Sequence, residues 1–149
     1  MPGQEEQEVD LKHCPVIDEI HVSIGSDSDI VTARQRGRAL ASELGFSITD
    51  TVMVATSISE LARNIVLYAG SGEIVLGVAV NDLGKRGVVV VARDDGPGIG
   101  DVGRAMESGY STSRSLGLGL PGVKRLMDEF QIHSVVGKGT VVTAKKWSR

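Results

Sequence analysis

The chain has 149 residues, 41% of them hydrophobic and 23% charged, which is the balance of an ordinary globular protein with one sizeable core. Its net charge of −3 argues against non-specific nucleic-acid binding as the main function, and no apolar run approaches the roughly 20 residues that span a bilayer. One cysteine, Cys14, excludes an internal disulfide framework. With an acidic amino terminus that lacks an apolar signal-peptide core, the sequence predicts a cytoplasmic protein.

The first part of the chain predicts a short lead-in followed by a strand and a helix. Residues 1–16 are expected to be a flexible lead-in, and residues 17–149 a single domain. The alternation of apolar residues in "EIHVSI" predicts a half-buried strand over 19–24. Several polar capping candidates in "GSDSD" then precede a helix over about 30–44, which Gly45 ends.

A longer helix is predicted from Ser47, whose spacing to Asp50 resembles a capping box, to Gly70. Its core stripe is expected to contain Val52, Ala55, Ile58, Ala62 and Ile65. Glu60 and Asn64 lie one turn apart on this helix. They form a polar ridge beside the apolar stripe.

The second half alternates strands with glycine-rich segments. The apolar runs "EIVLGVAV" and "GVVVVAR" predict two central strands joined by a hairpin. After "DDGPGIG" comes a polar segment, 101–115, with a short helix over about 102–106. Pro121 favours the first turn of a helix that runs to about Phe130, and two strands, "IHSVVG" and "TVVTAKKW", end the chain.

Three motifs stand out against this scaffold. "ELARN" at 60–64, taken alone, is typical of a solvated helix edge, whereas "DDGPG" at 94–98 has more glycines than a plain turn needs. "GLGLPG" at 117–122 begins a helix, where backbone N–H groups and the helix dipole favour an anion. The last motif also has the Rossmann glycine spacing, but the polar "GYSTSRS" before it cannot be a buried strand.

In this order and spacing, the motifs resemble those of the GHKL ATPase and kinase superfamily: an N-box, a D-x-G-x-G box, and a lid that ends in a glycine box. The closing "GKGT" resembles the last hairpin of that superfamily. The resemblance implies an α+β fold, the Bergerat two-layer α/β sandwich. Its mixed, largely antiparallel sheet carries helices on one face and a mobile ATP lid. It also implies ATP and Mg²⁺ as cofactors.

For the adenine site, the resemblance and the chemistry of the base assign four residues. Asp94 is expected to accept a hydrogen bond from the N6 amino group, which would select adenine over guanine. Gly96 and Gly98 are expected to let the chain pass close to the base, so that a Cβ at Gly98 would clash with it. Thr140 is expected to border the adenine.

For the phosphates, five further roles follow. Asn64 is expected to offer its carbonyl oxygen to Mg²⁺, and Glu60 to accept the proton of the attacking hydroxyl. Arg114 is expected to reach the γ-phosphate, and Gly117 and Gly119 to face the phosphates.

Over about residues 16–147, "SELARNIVLYA" and "GLGLPGVKRLMDEF" are similar to the RsbT-type switch kinases of bacterial stressosomes, which are related to RsbW-type anti-sigma-factor kinases. That resemblance implies STAS-domain substrates (RsbS-like and RsbR-like) and activation of a PP2C-type, RsbU-like phosphatase, with no nucleic acid or membrane as partner. One departure is Ser115, which replaces the first glycine of the histidine-kinase box and makes the final turn of the lid less free.

Two alternatives remain open at this stage. The chain could be an anti-sigma factor or a nucleotide-gated binding module with secondary kinase activity. Retention of Glu60 favours catalysis, because a binding module needs Asp94 and the glycines but no base. A detached histidine-kinase domain would need a phosphoacceptor histidine, and none of the three histidines lies in a helical acceptor context.

Overall fold

The computed structural model describes residues 16–107 and 119–149, in which strands build one antiparallel sheet with helices packed on one face. The strands are β1 (Val16–Ile24), β2 (Gly72–Val80), β3 (Arg86–Asp94), β4 (Glu129–Val135) and β5 (Gly139–Trp147). The helices are α1 (Asp27–Glu43), α2 (Ile48–Asn64), the short α3 (Val102–Ala105) and α4 (Gly119–Leu126). The expected α+β sandwich is confirmed. In the described part of the chain, every strand pairing is antiparallel, in the order β1-β2-β3-β5-β4.

The starts of the two long helices follow their capping residues. The Ser47 side chain accepts a hydrogen bond from the Asp50 N–H at 3.1 Å, as the capping pattern predicts. α1 begins at Asp27, ahead of the predicted position, because Ser26 is the N-cap and acidic side chains occupy the first turn. The Asp29 carboxylate accepts hydrogen bonds from the Gly25 N–H and the Ser26 hydroxyl, which fixes the turn before the helix.

The far end of α2 differs from the continuous helix that the sequence predicts. The α-helical hydrogen bonds end at Asn64, and Ile65–Ala69 form a π-helical turn. The Gly70 N–H donates to the Ile65 carbonyl at 2.9 Å, which closes this wider turn. The turn changes the direction in which the residues after Asn64 project.

The prediction that the last helix reaches Phe130 is wrong, because α4 ends at Leu126. The Asp128 N–H donates to the Lys145 carbonyl at 2.8 Å, so the chain has already joined the sheet. Phe130 then pairs with Ala144 in the register of β4 and β5. Strand pairing therefore takes priority over the helical pattern of "KRLMDEF".

The main core lies between the helices and the sheet. Of the five residues expected on the α2 stripe, Ile58, Ala62 and Ile65 belong to this core, and Ala55 is buried without being part of it. Val52 is 49% exposed, so its assignment to the stripe is wrong. A Cβ on Gly37 of α1 would overlap the Ile58 side chain, which shows how closely α1 and α2 approach. No helix within the described ranges is both long and apolar enough to cross a membrane.

Candidate functional site

A cavity of about 550 Å³ opens where α2, β3, β5 and α4 meet. Its apolar wall includes Leu61, Ile65, Ala92, Leu120 and Val142. Five of the residues predicted from the motifs line it: Asn64, Asp94, Gly98, Gly119 and Thr140. This volume and this mixture of apolar wall with a few polar groups are typical of a small-molecule site.

The remaining predicted residues have different positions. Gly96 lies beside the cavity and is hydrogen-bonded to Asp94, while Glu60 is one helical turn from Asn64 and is not part of the cavity lining. Arg114 and Gly117, like the departure at Ser115, lie outside the described residues.

Asp94 is the last residue of β3 and is held by strands on both sides. It pairs with Gly72 of β2 and with Thr140 of β5, and its side chain is half-buried. The Gly96 N–H donates to its Oδ1 at 2.9 Å. This bond engages one carboxylate oxygen, so the other can accept a donor from a ligand.

Gly98 has a positive φ of 76° and lies close to the backbone at the end of β4. A Cβ at this position would overlap the carbonyl of Val135 at the end of β4. The Pro97 carbonyl also accepts a hydrogen bond from the Gly137 N–H at 2.8 Å. The glycine loop therefore rests on the β4–β5 hairpin, a reason for glycine that the sequence reading did not include.

Ser134 ties this loop to Thr140. The Ser134 Oγ accepts from the Ile99 N–H at 2.7 Å and lies 2.8 Å from the Thr140 Oγ1 and 3.2 Å from the Gly139 carbonyl. Ser134 was not predicted from the sequence, because a single serine in a strand does not form a recognisable motif. Only the register that sets it opposite Thr140 identifies it.

Tyr68 lines the cavity, and the motifs did not identify it. It belongs to the π-helical turn, four positions after Asn64, and is 57% exposed. The spacing from Asn64 is the signal that could have found it, since residues four apart share a helix face. π-helical turns occur frequently at functional sites.

Glu60 is buried, with only 3% of its surface exposed. The Arg63 Nη1 donates to its Oε1 at 3.1 Å. Its Oε2 is buried and has no hydrogen-bond partner among the described residues. A buried carboxylate oxygen without a partner is unusual in folded proteins, which marks Glu60 as a group available to accept a proton.

The described lining is acidic, since it contains Asp94 and Asp101 and neither lysine nor arginine. A polyanionic ligand would therefore need positive charge from a metal ion or from residues outside this part of the chain. Away from the cavity, the His21 ring can donate hydrogen bonds to the carboxylates of Glu73 and Glu19, and these bonds raise the pKa of His21 above its ordinary 6.5.

Comparison with known proteins assigns this chain to a family. Residues 26–146 match the model of the histidine kinase-like ATPase domain. The chain belongs to this family. This histidine kinase-like ATPase chain is 55% identical over 132 residues to the serine/threonine-protein kinase RsbT of Bacillus subtilis, covering 89% of this chain and 98% of that one. It is also 29% identical over 119 residues to an anti-sigma F factor of Caldanaerobacter subterraneus, with 77% and 82% covered.

Solved structures share the fold of this histidine kinase-like ATPase. The RsbU and RsbW domains of a Mycobacterium tuberculosis protein superpose with a TM-score of 0.59 at 22% identity, covering 89% of this chain and 33% of that one. A chain of the SiaB–SiaC complex of Pseudomonas aeruginosa superposes with a TM-score of 0.52 at 13% identity, covering 96% of this chain and 96% of that one. The family and the identity to the kinase together make the chain an ATP-using protein serine/threonine kinase of the RsbT type.

Proposed function

We propose that this kinase phosphorylates serine or threonine of STAS-domain stressosome proteins (RsbS-like and RsbR-like), using Mg²⁺-bound ATP, and that it switches on a PP2C-type, RsbU-like phosphatase. The observation that carries the catalytic part is Glu60, a buried carboxylate with one unengaged oxygen, one turn before the cavity residue Asn64. The partners rest on the resemblance over residues 16–147, and the 55% identity to RsbT supports it.

The cavity fits the adenine of ATP. Its apolar wall offers a surface for a flat base, and Asp94 retains one carboxylate oxygen that can accept from the N6 amino group. Guanine presents a carbonyl there and would leave that carboxylate without a donor, so Asp94 would select adenine. Thr140 borders the same space with its hydroxyl oriented by Ser134.

The phosphate end of the site would lie near Asn64 and Gly119. The Asn64 side-chain oxygen is a suitable ligand for Mg²⁺, which when bound would neutralise phosphate charge that the acidic lining cannot. Gly119 lines the cavity and has a positive φ of 52°. Because glycine has no side chain, the backbone at this position can approach a phosphate closely. For Arg114 and Gly117, the roles at the γ-phosphate and the other phosphates stay predictions.

Glu60 would serve as the general base. As the acceptor hydroxyl oxygen bonds to the γ-phosphorus, the bond between that phosphorus and the bridging oxygen would break and ADP would leave, while the hydroxyl proton would pass to the unengaged Oε2 of Glu60. Such assistance typically contributes about 10²–10⁴-fold to a rate. Phosphoryl transfer often passes through a loose transition state in which positioning matters more than proton removal, so the lower part of that range is expected.

Glu60→Gln tests this proposal, because the substitution preserves shape and removes the proton acceptor. In single-turnover assays with saturating Mg²⁺-ATP and a purified RsbS-type STAS-domain acceptor, transfer should fall by about 10²–10⁴-fold. ATP binding by calorimetry and acceptor binding by pull-down should be retained. Glu43→Gln, on the exposed end of α1, is the matched control. Near-normal transfer by folded Glu60→Gln would remove Glu60 as the base.

A second candidate is an anti-sigma factor or nucleotide-gated binding module. The similarity to anti-sigma F factors, at 29% identity for one of them, favours it. A binding module with secondary kinase activity predicts that a sigma factor binds in the presence of ATP and that Glu60→Gln leaves this binding intact even where it slows transfer. Phosphate transferred to the STAS-domain acceptor, with no sigma factor retained in a pull-down, would instead support the kinase proposal.

A further inference from the structure

We infer that Arg63 is a positioning residue for phosphoryl transfer, which holds the Glu60 carboxylate so that Oε2 faces the acceptor hydroxyl; this inference rests on the proposed function of Glu60. The two residues lie three positions apart on α2, a spacing that places side chains on the same helix face. The Arg63 Nη1 donates to Glu60 Oε1 at 3.1 Å.

The burial of the pair is asymmetric. The Glu60 side chain is 3% exposed and the Arg63 side chain 35% exposed, so the carboxylate is buried while the guanidinium reaches solvent. An ionised carboxylate is costly to bury unless a positive group is beside it. Arg63 supplies a positive group beside the buried carboxylate, while its own guanidinium remains partly exposed to solvent.

The contact engages only one of the two carboxylate oxygens. Among the residues that the structure describes, Oε2 is buried without a hydrogen-bond partner, and so is the hydroxyl of Ser57, one turn earlier on α2. Ser57 therefore does not hold Oε2 in place. Because Arg63 engages Oε1 alone, it restricts rotation of the glutamate side chain and leaves Oε2 available as the proton acceptor.

Arg63 is adjacent to Asn64 in sequence, but the two side chains lie on different faces of α2. Asn64 lines the cavity and Arg63 does not, as expected for neighbours separated by about 100° around a helix. A role in orienting the base therefore predicts an effect on the transfer rate and none on ATP affinity. A role in binding nucleotide would predict the reverse.

The test compares Arg63→Met with the wild type. At saturating Mg²⁺-ATP and RsbS-type acceptor, the single-turnover rate should fall by about 10- to 100-fold, the range expected when a reacting group loses a charged hydrogen bond that orients it. The dissociation constant for ATP, measured by calorimetry, should be unchanged. Arg63→Lys keeps the charge and should recover most of the rate. Arg38→Met, on the exposed face of α1, is the matched control.

The double variant Glu60→Gln with Arg63→Met separates this inference from the proposed function. Once the base is absent, Arg63→Met should slow transfer no further. If Glu60→Gln is slow but Arg63→Met is normal, the positioning role is wrong and the base assignment stands. If Glu60→Gln is itself normal, the base assignment fails and the inference with it.

Two other results would also overturn the inference. A faster Arg63→Met would show that the ion pair withholds Glu60 from the acceptor, and weaker ATP binding with an unchanged rate would place Arg63 in the nucleotide site. Thermal melting verifies that each variant is folded at the assay temperature. If Arg63→Met is unfolded there, Arg63→Gln provides the uncharged comparison, with the same slow transfer expected.

Discussion

Individual carboxylates in this kinase have different surroundings, which suit them to different proposed roles. Asp94 is half-buried at a strand end, with one oxygen bonded to its own loop and the other available to a ligand. Glu60 is almost fully buried, with one oxygen held by Arg63 and the other without a hydrogen-bond partner in the described part of the chain. The first arrangement suits recognition of a donor on a base, and the second suits acceptance of a proton.

Asp94→Asn tests the adenine contact. Asparagine keeps an oxygen for the Gly96 N–H, so the loop should fold, but it places an amide donor where the carboxylate offered an acceptor. ATP affinity should fall by about 10- to 100-fold, the cost of losing a charged hydrogen bond. Calorimetry measures this, with Asp95→Asn as the neighbouring exposed control. Equal ATP affinity in both variants would remove Asp94 from the adenine site.

The motifs predicted five of the residues that line the cavity, but not Tyr68 and not every reason for those five. Asp94, Asn64 and Thr140 are distant in sequence, and only the family order of their motifs brought them together before the structure did. Ser134 and Arg63 were not predicted, because each contacts a motif residue without being one of the residues that define a motif.

At the level of elements, close contacts between backbones determine how the loop after β3 meets the β4–β5 hairpin. Gly137 and Gly139 both have positive φ angles, 81° and 127°. A Cβ on Gly139 would overlap the Asp94 carbonyl, whereas a Cβ on Gly137 would have no atom within 4 Å. An added side chain would therefore strain the backbone at both positions, but only at Gly139 would it also overlap other atoms, at the end of β3.

Comparison of Gly139→Ala with Gly137→Ala tests this contact. Gly137→Ala should cost about 1 kcal/mol of unfolding free energy from strain alone. Gly139→Ala should cost about 3 kcal/mol or more and should also weaken ATP binding, because the overlap displaces the residue that bears the recognition carboxylate. Denaturant titration and calorimetry measure the two effects. Equal losses in both variants would mean that the contact with Asp94 does not position the site.

The periodicity of the hydrophobic residues was enough to predict which segments are strands and which are helices, but it did not predict where some of them end. The strands and long helices were predicted correctly because their patterns are long and their caps explicit, as at Ser47. The π-helical turn Ile65–Ala69 and the end of α4 at Leu126 depend on packing and on hydrogen bonds to distant strands. A helical pattern in one segment contains no information about those partners.

At the scale of the whole molecule, Lys146 connects the sheet to the helices. Its Nζ donates to the Leu126 carbonyl at 2.8 Å and lies 3.6 Å from the Asp128 carboxylate and 4.0 Å from that of Asp50. The side chain is 4% exposed, so these partners in α4, in α2 and in the segment between α4 and β4 supply its polar contacts inside the protein. The sequence presents Lys146 as one residue of a polar pair near the end of the chain and does not show this role.

Lys146→Met should therefore destabilise the fold without direct damage to the cavity, because Lys146 is not one of its lining residues. Methionine retains an apolar stem and loses the bond to Leu126, so unfolding free energy should fall by about 2 kcal/mol and Tm by about 4–8 °C. The loss is limited because Arg149 still lies 3.5 Å from Asp50 and 3.2 Å from Asp128. Calorimetric melting compares it with Lys85→Met in the exposed β2–β3 turn, where the change should be near zero. Similar Tm values for the two variants would show that Lys146 does not join the layers.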